Sequence, residues 1–225
     1  MITPKAMILA AGRGQRMGDI TTKIPKPLVE LCGKPLLVHT IEKLSLAGIK
    51  EIVINVSWLG SKIVEAIGDG SNYGVSIEYS NEGYERLGTG GGVKRCIKKL
   101  GQNPFWLINA DVLTDFKIDI NQTLAPNLNG HLILVDNPPH HPLGDFDLFK
   151  GVVKKKSGQN PFTFSGISFL RPSLFDQENR KIFPLEPILF KEALALKITG
   201  EYHKKLWIDV GTPERLVEGR KLLAC

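Results

Sequence analysis

Along the first half of the chain, short apolar runs alternate with segments whose apolar residues recur every three or four positions. Residues 5–11 form a short apolar run ending at glycine, the mark of a buried strand. Residues 12–27 cannot make a regular helix, because Pro25 and Pro27 remove donors and restrict the residues before them. Leu28 to Leu31 reads as a short strand before the Cys32-Gly33-Lys34 turn. Pro35 opens a helix to Ala47, with Leu37, Ile41 and Leu44 on one face and Gly48 as its stop. Glu51–Val56 is a second strand, Leu59–Ile67 a helix, and Val75–Tyr79 an alternating third strand. A glycine-rich loop, residues 87–93, feeds a helix to Leu100, and Phe105–Asn109 is a further apolar strand. This alternation predicts an α/β fold, a Rossmann-like open, mostly parallel sheet with helices on both faces.

After Asp111 the pattern changes. Residues 131–136, 146–154 and 162–170 read as strands separated by proline- and glycine-rich connections. They are expected to extend the same sheet and to form a β-rich lid over it. A helix near 186–198 and another from Pro213 to Leu223 close the chain, with Thr212 as N-cap and Pro213 at the first helical position. There is no internal repeat and no long linker, so residues 1–225 read as one domain in two halves, 1–111 and 112–225.

Composition narrows the class. The 225 residues are 42% hydrophobic and 23% charged, ordinary for a soluble globular protein with a sizeable core. Net charge is +6, but only Lys154-Lys155-Lys156 clusters, with few aromatics nearby to stack bases. This argues against nucleic acid as a partner. Cys32, Cys96 and Cys225 are widely spaced without a CxxC pair, which points to a reducing compartment and against a disulfide framework or zinc site. No signal peptide pattern and no apolar run near the ~18 residues of a membrane span occur. A cytoplasmic protein without membrane contact is expected.

The chemistry concentrates at strand ends. After the first strand, Gly12-Arg13-Gly14-Gln15-Arg16-Met17-Gly18 combines glycines, which bring backbone N–H groups close to a ligand, with two arginines. Lys26 follows between two prolines that cut its backbone freedom. Such a loop suits phosphate oxygens. Met17 occupies the third glycine position of a dinucleotide fingerprint, and no G-x-x-x-x-G-K-[ST] occurs, so neither a dehydrogenase nor a P-loop site fits. Ligands of open α/β sheets bind beyond the carboxyl ends of strands, where Asn109-Ala110-Asp111 sits. Asp209, in Trp207-Ile208-Asp209-Val210-Gly211-Thr212, is a second carboxylate in an apolar strand, costly to bury unless paired or metal-bound. Each aspartate alone could equally be a solvent-facing or capping acid.

Taken together, Leu9-Ala10-Ala11-Gly12-x-Gly14-x-Arg16-Met17, Pro25-Lys26-Pro27-Leu28, Gly33-Lys34-Pro35-Leu36, Leu87-Gly88-Thr89-Gly90-Gly91-Gly92, Asn109-Ala110-Asp111 and Trp207 to Thr212 resemble the signature of the sugar-phosphate nucleotidyltransferases. The resemblance spans nearly the whole chain. Within that family it is finest to the small bacterial N-acetylmuramate-1-phosphate uridylyltransferases of cell-wall (peptidoglycan) recycling. Residues 54–60, Leu134 to His141, Gly144-Asp145-Phe146 and Phe164 to Ser168 carry this finer match.

The resemblance implies a nucleotide-diphospho-sugar transferase fold, with a nucleotide-binding half (1–111) and a sugar-binding half (112–225). It implies UTP and a sugar 1-phosphate, N-acetylmuramate 1-phosphate, as substrates. The sugar-phosphate oxygen would attack the α-phosphorus and pyrophosphate would leave, with no covalent enzyme intermediate. By the family pattern Arg16, Lys26 and Asp111 are catalytic: Arg16 grips the triphosphate and Lys26 contacts phosphates at the reacting centre. Ala11, Gly12, Arg13, Gly14, Gln15, Glu82, Gly83 and Gly90 complete the nucleotide site. Glu85 is the alternative to Glu82, because residues 84–87 are one residue longer than the family spacing. Asn109, Asn137 and Asp145 are sugar-binding candidates, and Asp111 and Asp209 hold Mg²⁺. Ala110 stands where the family usually has glycine, adding a methyl beside ribose or sugar. A monomer is expected. The alternatives are another sugar-1-phosphate nucleotidyltransferase, such as a mannose-1-phosphate guanylyltransferase or a glucose-1-phosphate uridylyl- or thymidylyltransferase, and a non-catalytic nucleotide-binding regulatory protein. The last should have lost Lys26, Asp111 or Asp209, and all three are present. His140 and His141, adjacent on a proline-rich loop, read as polar loop residues rather than metal ligands. Trp58 and Trp207 read as packing residues.

Overall fold

The computed structural model describes residues 3–156 and 161–225. Its centre is a nine-stranded sheet in the order β5-β4-β1-β6-β11-β8-β12-β10-β9. The first four of these are β1 (Ala6–Leu9), β4 (Glu51–Val56), β5 (Ser76–Asn81) and β6 (Phe105–Asn109), all mutually parallel. β8 (Gly130–Val135), β9 (Phe146–Phe149), β10 (Val152–Lys155), β11 (Pro161–Leu170) and β12 (Ile198–Tyr202) continue the sheet with mostly antiparallel pairings. Two short ribbons complete the strands. β2 (Glu30–Leu31) pairs with β3 (Lys34–Pro35), and β7 (Val112–Thr114) pairs with β13 (Trp207–Asp209).

Alternation along the central strands sorts the core onto two faces. Ala6 and Ile8 of β1, with Ile52 and Ile54 of β4, pack under α2 (Leu36–Leu46) and α3 (Gly60–Ile67) through Leu37, Ile41, Leu44, Ile63 and Ile67. Met7 and Val53 point the other way, onto Val93, Cys96 and Leu100 of α4 (Gly88–Leu100), while Leu189 and Ala193 of α5 (Glu186–Leu194) join the same core. A third, smaller core supports the glycine loop. Met17, Val29, Leu31, Leu36, Leu113, Ile208, Val210 and Leu216 meet there, the last from α6 (Pro213–Leu222). The expected α/β order of the first half is thus present, down to the limits of β4 and β6.

Several details differ from the sequence reading. Residues 12–27 contain a 3₁₀ turn at Gln15–Met17 and one helical turn, α1 (Ile20–Lys23), and Lys26–Leu28 is a second 3₁₀ turn rather than the start of a strand. The glycines 88–92 belong to α4 itself instead of a loop before it. The single strand expected at 146–154 is a hairpin, because Lys150 and Gly151 both take positive φ, 50° and 77°, and turn the chain back. The helix expected to reach 198 ends at Leu194 and is followed by β12, which the pattern did not reveal. The lid is built from the sheet's own far strands. β9 pairs with β10 and also with β11, so β11, β8, β12, β10 and β9 return on themselves.

The cysteines also need correction. Cys32 and Cys225 are joined in a disulfide, with Cα atoms 5.6 Å apart, and Cys96 is buried and free. Distance along the sequence had argued against pairing, but α6 returns the chain terminus to the β2–β3 turn. Among the described residues no helix is long and apolar enough to cross a membrane.

Candidate active site

The glycine loop leaves β1 at the sheet's carboxyl edge. Gly14 has φ of 69°, and a Cβ there would lie 2.8 Å from the Cβ of Lys26, so glycine at this position lets the Lys26 stem pack on the loop. Thr21 pins the loop by donating from Oγ1 to the Gly14 carbonyl at 2.9 Å. Met17 drives it inward by burial. Trp58 packs beneath, donating to Thr21 O at 3.2 Å, with the Arg13 guanidinium 4.4 Å from its ring.

At the end of β6, Asn109-Ala110-Asp111 crosses the same edge. Asp111 forms an ion pair with Lys26, whose side chain is only 11% exposed. A buried lysine is stable in this position only because a carboxylate faces it. Asp209, at the end of β13, is set beside this pair by the β7–β13 ribbon, in which Asp209 aligns with Val112 and Val210 N donates to Asp111 O at 2.8 Å. Asp209 is itself paired with Arg215, the third residue of α6. The expected N-cap is present, with Thr212 Oγ1 accepting from Arg215 N at 3.3 Å.

Three adjoining cavities follow. The first, about 440 Å³, is lined by Ala11, Gly12, Arg13, Gly14, Gln15, Arg16, Lys26, Glu82, Asn109 and Asp111, together with Ala110 and residues 86–89. The second, about 390 Å³, holds Asp145, Asn109, Asp111 and Asp209 with His140, His141, Glu186 and Trp207. Arg16 and Asp111 face both, so the cavities meet at the charged centre. A third, about 630 Å³, opens beyond Asp209, and Arg16 lines it too.

The sequence-predicted residues do not all converge. Glu82, rather than Glu85, lines the first cavity; Glu85 is exposed and pairs with Lys181. Glu82 is 7% exposed, and burial pushes its carboxyl above the ordinary value. Its oxygens accept from Asn55 Nδ2 at 2.7 Å and Leu87 N at 3.3 Å, while Asn55 Oδ1 accepts from Ala10 N at 2.8 Å. Glu82 therefore braces the end of β1 against the start of α4. Gly83 is exposed on the turn after β5, and Gly90 is packed against Phe183, so neither reaches a cavity wall. Asn137 lies outside the first two cavities but lines the third, with Arg16, His140 and Asp209. Its Nδ2 donates to Pro161 O at 2.9 Å and its Oδ1 accepts from Thr163 at 2.9 Å, which fixes the loop under Gly144. Asp145 reaches the second cavity, with Oδ2 accepting from Phe164 N at 2.8 Å and Oδ1 2.9 Å from His141. Asn109 is aimed there by a bulge in β11: Gly166 has φ of 81°, and a Cβ on it would stand 2.5 Å from Asn109 Nδ2. Sequence reasoning missed Asn55, Thr89 and Arg215. The visible signals were Asn55, polar in an apolar strand, and Thr89, inside the Leu87–Gly92 motif.

Two carboxylates from neighbouring strand ends suit Mg²⁺, which takes one or two protein carboxylates and completes its shell with phosphate oxygens and water. Among the described residues no group of three or more potential metal ligands forms, and the two histidines are bound up with Asp145, Asp209 and Arg215. The donor set fits a hard cation that shares its coordination with a phosphorylated ligand.

A phosphate-suited glycine loop, a lysine–aspartate pair at its mouth and two cavities meeting there fit an α/β enzyme that handles phosphorylated ligands. The family model described as Nucleotidyl transferase matches residues 5–129. The chain belongs to that family. It is 45% identical to the N-acetylmuramate alpha-1-phosphate uridylyltransferase of Neisseria meningitidis serogroup B, over 97% of each chain. Mannose-1-phosphate guanyltransferase 2 of Candida glabrata is 30% identical over 97% of this chain and 64% of its own. Among solved structures, HddC from Yersinia pseudotuberculosis in complex with GMP-PN superposes with a TM-score of 0.78 at 22% identity, over 98% of this chain and 99% of that one. A UDP-glucose pyrophosphorylase bound to UDP-glucose does so with a TM-score of 0.75 at 18% identity, over 99% of each chain. These likenesses establish the fold.

Proposed function

We propose that the chain transfers UMP from UTP to N-acetylmuramate 1-phosphate, releasing pyrophosphate and UDP-N-acetylmuramate, in the service of peptidoglycan recycling. The observation that carries the reading is the meeting of two cavities at Arg16 and Asp111, one walled by the glycine loop and one by the lid strands. The near full-length similarity to a uridylyltransferase supports the choice of base and sugar. The reading takes the chain to act as a monomer, with neither nucleic acid nor membrane as a partner.

In this reading the sugar-phosphate oxygen attacks the α-phosphorus in line; its P–O bond to the β-phosphoryl bridge breaks and pyrophosphate carries the electron pair away. Ala11 to Gln15 and Arg16 bind the triphosphate, and Lys26 leaves Asp111 to face the phosphates at the reacting centre. Asn109 and Asp145 orient the sugar, while Asn137 and Glu82 hold the loops that carry those contacts. Asp111 and Asp209 would hold Mg²⁺, which supplies charge neutralisation for the phosphate oxygens. Catalysis is then positioning and electrostatic stabilisation.

Pyrophosphate release across a panel of nucleoside triphosphates and sugar 1-phosphates tests the assignment. Turnover should be highest with UTP and N-acetylmuramate 1-phosphate; strong turnover with GTP and mannose 1-phosphate, and none with the first pair, would overturn it. Asp111→Ala should lower Mg²⁺-dependent turnover by about 10²-fold or more with an unchanged circular dichroism spectrum. Unchanged activity would refute the role given to Asp111.

A further inference from the structure

Arg215 has no place in the motifs that identify the family, yet it is among the few buried charged side chains, 8% exposed. A buried guanidinium is retained only where its charge and its donors are matched. Here Nη1 pairs with Asp209 Oδ1 and donates to His140 Nε2 at 2.7 Å. His140 Nε2 also stands 3.2 Å from Asp209 Oδ1, so the guanidinium, the imidazole and the carboxylate meet at one point. Both contacts to Asp209 fall on Oδ1, so among the described residues Oδ2 is the oxygen left for a cation. The other arm of the fork lies over Gly211. A Cβ there would collide with Arg215 Nη2 and stand 3.2 Å from Arg16 Nη2, so a side chain at 211 would displace the guanidinium.

The local sequence explains how Arg215 gets there. Thr212 caps α6 and Pro213 fixes its first residue, which sends the side chain of the third residue back toward β13 instead of outward. One guanidinium thereby joins three separate pieces of chain: Asp209 on β13, the N-terminal turn of α6, and His140 on the connection from β8 to β9. We propose that Arg215 is a positioning residue that orients the Asp209 carboxylate for a divalent cation and ties it to the sugar-side loop through His140. This rests on the reading of Asp209 as a metal-holding residue. Outer contacts of this kind fix the direction of a ligand oxygen, and their loss weakens metal affinity without removing the ligand.

The test reads the metal directly. Free Mn²⁺ is measured by electron paramagnetic resonance as it titrates the whole protein with α,β-methylene-UTP present. Arg215→Met should weaken Mn²⁺ binding about 10- to 100-fold, and Arg215→Lys should recover part of the loss. Affinity for the UTP analogue in EDTA should change far less in both. In an Asp209→Asn background, Arg215→Met should add nothing further. Equal Mn²⁺ affinity in wild type and Arg215→Met, or an undiminished effect in the Asp209→Asn background, would overturn the proposal. If Asp209→Asn itself leaves Mn²⁺ affinity unchanged, the metal reading of Asp209 fails and the proposal falls with it. A failure of the substrate assignment alone would appear in the turnover panel and leave these titrations as they are.

Discussion

Both oxygens of Glu82 are engaged inside the protein, one by Asn55 and one by the Leu87 amide. Burial raises its carboxyl above 4.5, so the native state holds this proton more tightly than the unfolded chain does. With more protons bound in the native state, stability falls as pH rises from about 4.5 through the raised native value. Glu82→Gln should cost about 1–3 kcal/mol, because an amide cannot accept both hydrogen bonds, and it should lack that slope. Urea melts of the two proteins across this range should therefore converge as pH rises, and a constant gap would show that Glu82 does not titrate there. At this scale the phosphate-facing residues were legible, since Gly14, Arg16 and Lys26 act through local backbone geometry and charge. Glu82 was legible as a position but not in its bracing role, which depends on Asn55, 27 positions away. Arg215 was illegible, because its partners come together only when α6 folds back.

α4 opens with a run of glycines that ordinary propensity would count against a helix. Their value lies in what they approach: Gly90 meets the Phe183 ring and the Pro184 carbonyl, and Gly92 would place a Cβ 2.7 Å from Glu82 Oε1. Alanine in a helix interior usually stabilises relative to glycine by roughly 0.5–1 kcal/mol. Here the sign should reverse, with Gly90→Ala destabilising by about 1–3 kcal/mol through overpacking, read from the urea midpoint at unchanged slope. The strands β4 and β6 were legible to the residue because apolar runs bounded by turn residues mark buried parallel strands. β12 was not. Its Ile198-Thr199-Gly200-Glu201-Tyr202 pattern is interrupted by a glycine, and it is a strand because β8 lies alongside it in register. The β9–β10 hairpin escaped notice for a similar reason, since Lys150-Gly151 is not one of the strong turn dipeptides.

For the whole molecule, the sequence's alternation defined one face and one edge of the sheet but not how the later strands close on β11. That closure comes from long-range pairing, which no local pattern encodes. The disulfide belongs to the same class of feature. It joins positions 193 residues apart, so α6 is held both by its apolar contacts and by a covalent link to the β2–β3 turn. In the chain-entropy model a loop of this length restricts the unfolded state by about 5 kcal/mol. Dithiothreitol, or Cys225→Ser, should accordingly lower the thermal midpoint, and an unchanged midpoint would show that the link does not constrain the unfolded chain.

The same link closes the stretch from Cys32 to Cys225 into a covalent ring in the oxidised protein. A single cut in the exposed proline-rich connection around His140 and His141 would therefore not yield two fragments. The nicked protein would keep the mass of the intact chain plus one water, and would separate into two pieces only after a thiol opened the ring. Any fragment map made by proteolysis has to be read with and without reductant, because a cut between Cys32 and Cys225 releases no piece while the ring is closed.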